Sequence, residues 1–273
     1  MRRLDCRGRP AELRAEPLAG CQNRLVTATD ATAVLDILEA GYANVTALAD
    51  DLTEATALSP SRCAGWSVAD VLYHQLLDAR RALRTFATPA DGPADVDAVS
   101  YWLPFSAGSG QPGEPFSIGA ARHARHVRVA CSAYSPVELA WEWRETSAAA
   151  VRAGRACPHA AVATQGHTLL TADFVSTLAV ETAVHYLDMT PGLPAPASAA
   201  AGLALVRSVL TGLADAAAGS ADAAGTAWEL ATALFPADWT DERCVLIGTG
   251  RVIPSDSERT ALGPVADRLP LLG

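Results

Sequence analysis

Glu181 and His185 stand four residues apart in the segment ADFVSTLAVETAVHYLDM, a spacing that turns both side chains to one side of a helix. From Phe174 to Leu187 the only formally charged residue is Glu181. A helix that is apolar nearly all round belongs in a core. Phe174, Leu178, Glu181 and His185 follow at i, i+4, i+7 and i+11, so the acid and the imidazole share a stripe with two large hydrophobes. An ionised carboxylate without a partner there costs several kcal/mol or takes up a proton. A divalent cation held by both heads would compensate it, and i, i+4 is the spacing by which one helix offers two ligands to one metal. An internal hydrogen-bonded pair satisfies the same spacing.

A third ligand has to come from another helix, and His74 is the candidate. It lies between Val71 and Leu77, with Asp70 and Asp78 one turn away on either side, where a carboxylate can fix the imidazole tautomer. The plainer reading of such a histidine is a solvated side chain. His123 and His126 also have ligand-like spacing, but Arg122, Arg125 and Arg128 beside them repel a cation, so this run reads as a solvated basic face or anion-contacting patch. His159 and His167 fall in expected loops. Of Trp141 and Trp143, which flank Glu142, Trp141 is expected in the core.

These side chains need rigid elements to hold them. A first helix is expected from about Asp30, with Val34, Leu38, Tyr42, Val45, Leu48 and Leu52 on one face. Ser67 with Asp70 forms a capping-box signature that starts a second helix, running to about Phe86. A stretch rich in Gly, Pro and Ser follows from about Thr88 to Pro115, and its YWLPF segment is apolar enough to serve as a lid or lining. Further helices are expected over Ile118–Cys131, from Ser135-Pro136 onward, and from about Thr171 to Met189. Long helices with an extended crossover imply a four-helix bundle, with the Ile118 segment a member or an insertion.

The expected organisation is an extended or disordered segment at 1–28, a bundle over 29–190, a PGLPAPAS linker at 191–198 and a smaller α/β domain at 199–273. In that last region Leu203, Val206, Leu210 and Leu213 mark a helix. CVLIGTGRVI reads as strand on both sides of a Gly turn, and SDSERTALGPVADRL as a short capped helix. The chain is thus expected to be mainly α.

The 273 residues carry a formal net charge of −9, which argues against a nucleic-acid partner. All 21 basic residues are Arg, so Schiff-base and P-loop lysine chemistry are excluded. No apolar window is long enough for a membrane helix, and the N-terminus lacks the apolar run of a secretory signal. Six scattered cysteines without a CxxC pair suit a reduced, cytoplasmic protein, monomeric or homodimeric, better than a disulfide scaffold.

The runs CAGWSVADVLYH, ETAVHYLDM and IGTGRVIPSDSERTALGPVADRLPLLG resemble the mycothiol-dependent maleylpyruvate isomerase family of the DinB/YfiT-like superfamily, from about Thr29 to the end. The resemblance implies a DinB-like four-helix bundle whose His74, Glu181 and His185 bind a divalent metal, usually zinc, with mycothiol as thiol cosubstrate. Two neutral imidazoles and one carboxylate leave such an ion net positive with an open position, the arrangement of catalytic sites. A thiol entering it loses its proton near neutral pH and can attack an electrophilic small molecule, leaving again (isomerisation) or staying (transfer). The resemblance also implies a catalytic arginine near the C-terminus, for which Arg251 after Gly248-Thr249-Gly250 is the candidate, holding a substrate carboxylate. A turn arginine paired with an acid such as Asp256 is the alternative. A hydrolase or lyase using metal-bound water, and a non-catalytic binding module, remain open on the sequence.

Overall fold

The computed structural model describes residues 31–105, 116–219 and 234–272; the expected N-terminal extension lies outside them. Four long helices form the bundle: α1 (Ala31–Asp50), α3 (Val68–Phe86), α5 (Pro136–Ala156) and α6 (Thr171–Met189), with a short α2 (Glu54–Ala57) between the first two. Each of the four packs against two others, in the ring order α1, α5, α3, α6. Two of their starts are chemically specified. The Ser67 hydroxyl accepts from the Asp70 amide while the Asp70 carboxylate accepts from the Ser67 N–H, and Ser135 with Glu138 repeats the device ahead of Pro136. Asp70 is therefore spent on the cap.

The Ile118 segment belongs to α4 (Phe116–Cys131), an insertion laid on α3. Before it, Ser100–Phe105 makes a 3-10 turn that buries Tyr101 and Trp102. Strands β1 (Ala161–Thr164) and β2 (His167–Leu170) pair antiparallel ahead of α6, so His167 opens a strand rather than lying in a loop. Its imidazole pairs with Asp95 at 3.2 Å on the surface.

The C-terminal region corrects the expected strands. α7 (Ala200–Gly219) packs on α6 and α1, and α8 (Asp241–Gly248) packs on α7 and α6. Cys244, Val245, Leu246 and Ile247 are all buried, but in α8, not in a strand. A short apolar run has no periodicity of its own to separate the two. The deciding signals lie at its ends. The Thr240 hydroxyl caps the first turn, Asp241 and Glu242 favour its N-terminus, and Gly250 at φ 70° closes it. There the Arg251 amide bonds to the Leu246 carbonyl at 2.8 Å and the Gly250 amide to that of Ile247 at 3.0 Å, a Schellman stop that releases Arg251 from the helix. A capped α9 (Asp256–Leu262) and a 3-10 turn over Gly263–Arg268 follow, so no strand occurs among the described residues of 199–273.

The structure corrects the place expected for Trp141. Trp143 is fully buried, edge-on to Tyr42, and donates its indole N–H to the Thr46 hydroxyl at 3.0 Å; Trp141 is 58% exposed. The two are two positions apart on a helix and so face different sides, and only the fold says which side meets α1. Trp143→Ala is expected to cost about 3–5 kcal/mol in chemical denaturation, as usual for a buried aromatic, and Trp141→Ala no more than about 0.5 kcal/mol.

Candidate metal centre

Two helices carry the expected ligands to one point. His74 comes from the middle of α3; Glu181 and His185 come from adjacent turns of α6. Glu181 Oε2 lies 3.0 Å from His185 Nε2 and 3.9 Å from His74 Nε2, and one donor atom from each of the three residues falls within 4.8 Å of the others. The edge of a tetrahedron with bonds of about 2.1 Å is about 3.4 Å, so these separations fit a shared ion after small movements. The His74 and His185 rings stand perpendicular, centroids 4.9 Å apart.

The outer nitrogens are also engaged. His185 Nδ1 meets Asp188 Oδ2 at 2.9 Å, which turns Nε2 toward Glu181. Asp188 is fully buried, on the last turn of α6. Its carboxylate also accepts from the Cys63 thiol at 3.1 Å and from Arg251, through Nε and Nη2, at 3.2 Å each. Arg62 ties the Cys63 loop to the same helix end, its amide to the Asp188 carbonyl and its Nη1 to the Leu187 carbonyl. Arg251 is thus paired with Asp188, not with Asp256, and gives Nη1 to the Thr249 carbonyl. It keeps two of its five N–H donors and lines the cavity described below.

His74 Nδ1 faces His123 Nε2 at 3.4 Å, and the Trp66 ring lies against both imidazoles. Asp78 Oδ2 stands 3.8 Å from His74 Nε2 and is buried without a hydrogen-bond partner among the described residues, while Asp78 Oδ1 is gripped by Arg81. Of the basic run on α4, His123 reaches the His74 ring, while Arg128 gives Nη1 to the Gly65 carbonyl at 3.3 Å. Asp188 and Cys63 carried weaker signals. Asp188 follows His185 by three, a helical neighbour, whereas the Cys63 contact bridges 125 residues to Asp188.

The electrostatics follow from burial and pairing. Burial opposes ionisation of Glu181, but hydrogen bonds from His185 and His74 outweigh it and hold the carboxyl well below its usual range. Burial likewise opposes charge on His185, and its bonds to Asp188, Cys63 and Glu181 reverse this, raising it well above the ordinary imidazole value. Asp188 is buried too, and His185 and Arg251 lower it.

The group opens into a cavity of about 720 Å³, large enough for a small organic ligand. Tyr101 and Trp102 of the YWLPF segment line it, as do four arginines, Arg80, Arg81, Arg84 and Arg251. No helix among the described residues is long and apolar enough to cross a membrane.

Residues 38–190 match the mycothiol maleylpyruvate isomerase N-terminal domain. The chain belongs to that family. The match spans more than half of the chain, contains Cys63, His74, Glu181, His185 and Asp188, and leaves Arg251 outside. It implies the DinB-like superfamily, in keeping with the mainly helical fold. No curated protein and no solved structure gave a significant match.

The shifts set a pH profile for the chain without metal. Glu181 and Asp188, both lowered, stabilise the fold above the unfolded carboxyl range near about 4, and that contribution is lost as pH falls through their folded values. His185, raised, stabilises fully below about 6.5, and its contribution is lost as pH rises through its folded value. Thermal melts of the chelator-treated chain should therefore peak between about pH 4.5 and 6.5 and decline toward pH 9. A melting temperature flat across pH 6–9 would show that His185 titrates alike in the folded and unfolded chain, and one that rises from pH 6 would show that the fold holds it neutral.

Proposed function

We propose that this chain is a metal- and mycothiol-dependent transferase or isomerase, activating the thiol as thiolate for attack on an electrophilic small molecule. The observation that carries the reading is the convergence of His74, Glu181 and His185 on one point at the cavity wall, with the far side of His185 already fixed by Asp188. The residues fit a divalent ion, zinc first by its taste for imidazole and carboxylate: one anionic oxygen, and two ring nitrogens whose partners across each ring are occupied. When bound, the ion would lower the thiol's pKa toward neutrality.

The protein's own residues supply the rest. Asp188 accepts from His185 Nδ1 and so directs Nε2 toward Glu181, where that nitrogen would be the donor to an ion once its proton has left, and Arg251 with Cys63 keeps the Asp188 carboxylate from turning. Trp66 packs against His74 and limits its rotation. Tyr101 and Trp102 narrow the space that water can fill. Arg251 reaches the cavity from the C-terminal region, and its two uncommitted donors suit a substrate carboxylate. The catalytic residues of the reading are thus the three ligands and Arg251.

Glu181→Leu should fold, because an apolar residue suits its stripe on α6, yet bind little metal and lose thiol-dependent turnover. Asp188→Asn should weaken metal binding by about 10- to 100-fold, the usual consequence of removing the carboxylate behind a ligand histidine. Metal analysis, melting curves and titration with mycothiol and with glutathione check both. A Glu181→Leu chain that keeps its metal and turnover would sink the reading, and one that unfolds would mark the metal as structural.

A further inference from the structure

His185 offers donors on two sides. Its Nε2 meets Glu181 at the cavity wall, while Nδ1 meets Asp188, with Cys63 beside it. Among the described residues two groups of donors could hold a cation: His74 with Glu181 and His185, and Cys63 with His185 and Asp188. Both groups use the same imidazole.

The second group is closely gathered. Cys63 Sγ lies 3.1 Å from Asp188 Oδ2 and 3.8 Å from His185 Nδ1, and those two atoms of α6 are 2.9 Å apart. Three atoms at these separations lie on a circle of radius about 1.9 Å, so a point about 1 Å off their plane is about 2.2 Å from each, between the nitrogen and sulfur bond lengths of zinc. To bind there, the imidazole has to turn its Nδ1 from Asp188 onto the ion.

Charge and access suit an ion as well. Arg251 now answers the Asp188 charge, its Nε and Nη2 each 3.2 Å from a carboxylate oxygen. A Cys63 thiolate would add a second negative charge, so a divalent ion among thiolate, carboxylate and guanidinium leaves one net positive charge. The cavity group, with one carboxylate and two neutral imidazoles, leaves the same. The guanidinium therefore does not exclude a dication, and the sulfur selects a soft or borderline one. Asp188 is fully buried, but Cys63 is half-buried in a loop whose Ala64 and Gly65 are exposed, which gives an ion an entry path.

We propose that Cys63, His185 Nδ1 and Asp188 form a second cation position, selective for a thiophilic divalent ion, whose occupation displaces an ion from the cavity position. Binding there releases to solvent the protons of the Cys63 thiol and of Nδ1, and leaves the proton of Nε2 donated to Glu181. A neutral imidazole has one lone pair, so His185 serves one ion at a time. The displacement rests on the proposed cavity ion; the thiolate position does not.

The test titrates the full chain, reduced and stripped of metal by chelator, with cadmium chloride, and follows the ultraviolet charge-transfer absorption of cadmium–thiolate bonds. The part of that band absent from Cys63→Ser should saturate at one cadmium per chain. The serine hydroxyl can still donate to Asp188, so the variant should fold. Glu181→Leu, which removes a cavity ligand, should keep the band. In the zinc-loaded parent, cadmium should release zinc as the band grows. Cys63→Ser should need at least about tenfold more cadmium for that release, no less than the usual cost of losing a group behind a ligand. A band as strong in Cys63→Ser as in the parent, or one lost in Glu181→Leu, would overturn the second position. A band that grows while zinc stays bound would overturn the displacement. A parent chain that takes up no zinc would sink the cavity reading and leave the cadmium result on the stripped chain standing, so either can fail without the other.

Discussion

A carboxylate buried without access to water must be surrounded by donors, and Asp188 shows how far that requirement reaches. It sits fully buried at the end of α6 and draws its donors from the Cys63 loop, from His185 on its own helix and from Arg251 beyond α8. Removing one partner from such a set leaves a buried charge uncompensated, which costs about 3–5 kcal/mol. The loop before α3, helix α6 and the C-terminal region are therefore fastened at one point. That point lies directly behind His185, so the interaction that ties these segments together also aims the imidazole.

The same economy explains why the apolar helix α6 tolerates its polar residues. Glu181 and His185 neutralise each other in the metal-free protein, and His74 approaches from α3 to share the carboxylate. A divalent cation bound there would have to replace the proton that His185 holds, so metal and proton would compete for one site. The family match covers this arrangement from the Cys63 loop to the end of α6. Arg251 comes from outside the matched residues, and it is the link by which the C-terminal region touches the site.

Charge in the cavity is arranged as a gradient along α3. Near His74 the wall carries Glu181 and Asp78, whose Oδ2 has no hydrogen-bond partner among the described residues; ten residues on, it carries Arg84. Arg81 lies between and faces both ways, two bonds to Asp78 and one to Gln165. One helix supplies most of this wall because its residues at i, i+3, i+4 and i+7 share a side.

Much of this was legible in the residues alone. Ser67-x-x-Asp70 and Ser135-Pro136 start their helices by local hydrogen bonding, and the 3.6-residue period of the apolar positions carries them on, so both features survive in isolated sequence. The Glu181–His185 pair declared itself because four residues along a helix is a fixed distance, and because a lone acid on an apolar stripe demands a partner. What the sequence did not contain was any distance between elements. Whether Trp141 or Trp143 faced α1, whether CVLIG became strand or helix, and that Cys63, Asp188 and Arg251 met around one imidazole were decided by packing. Those contacts join residues 63 to 125 positions apart. Local chemistry has no means of encoding such separations; they exist only once the bundle has closed and buried the charges that require them.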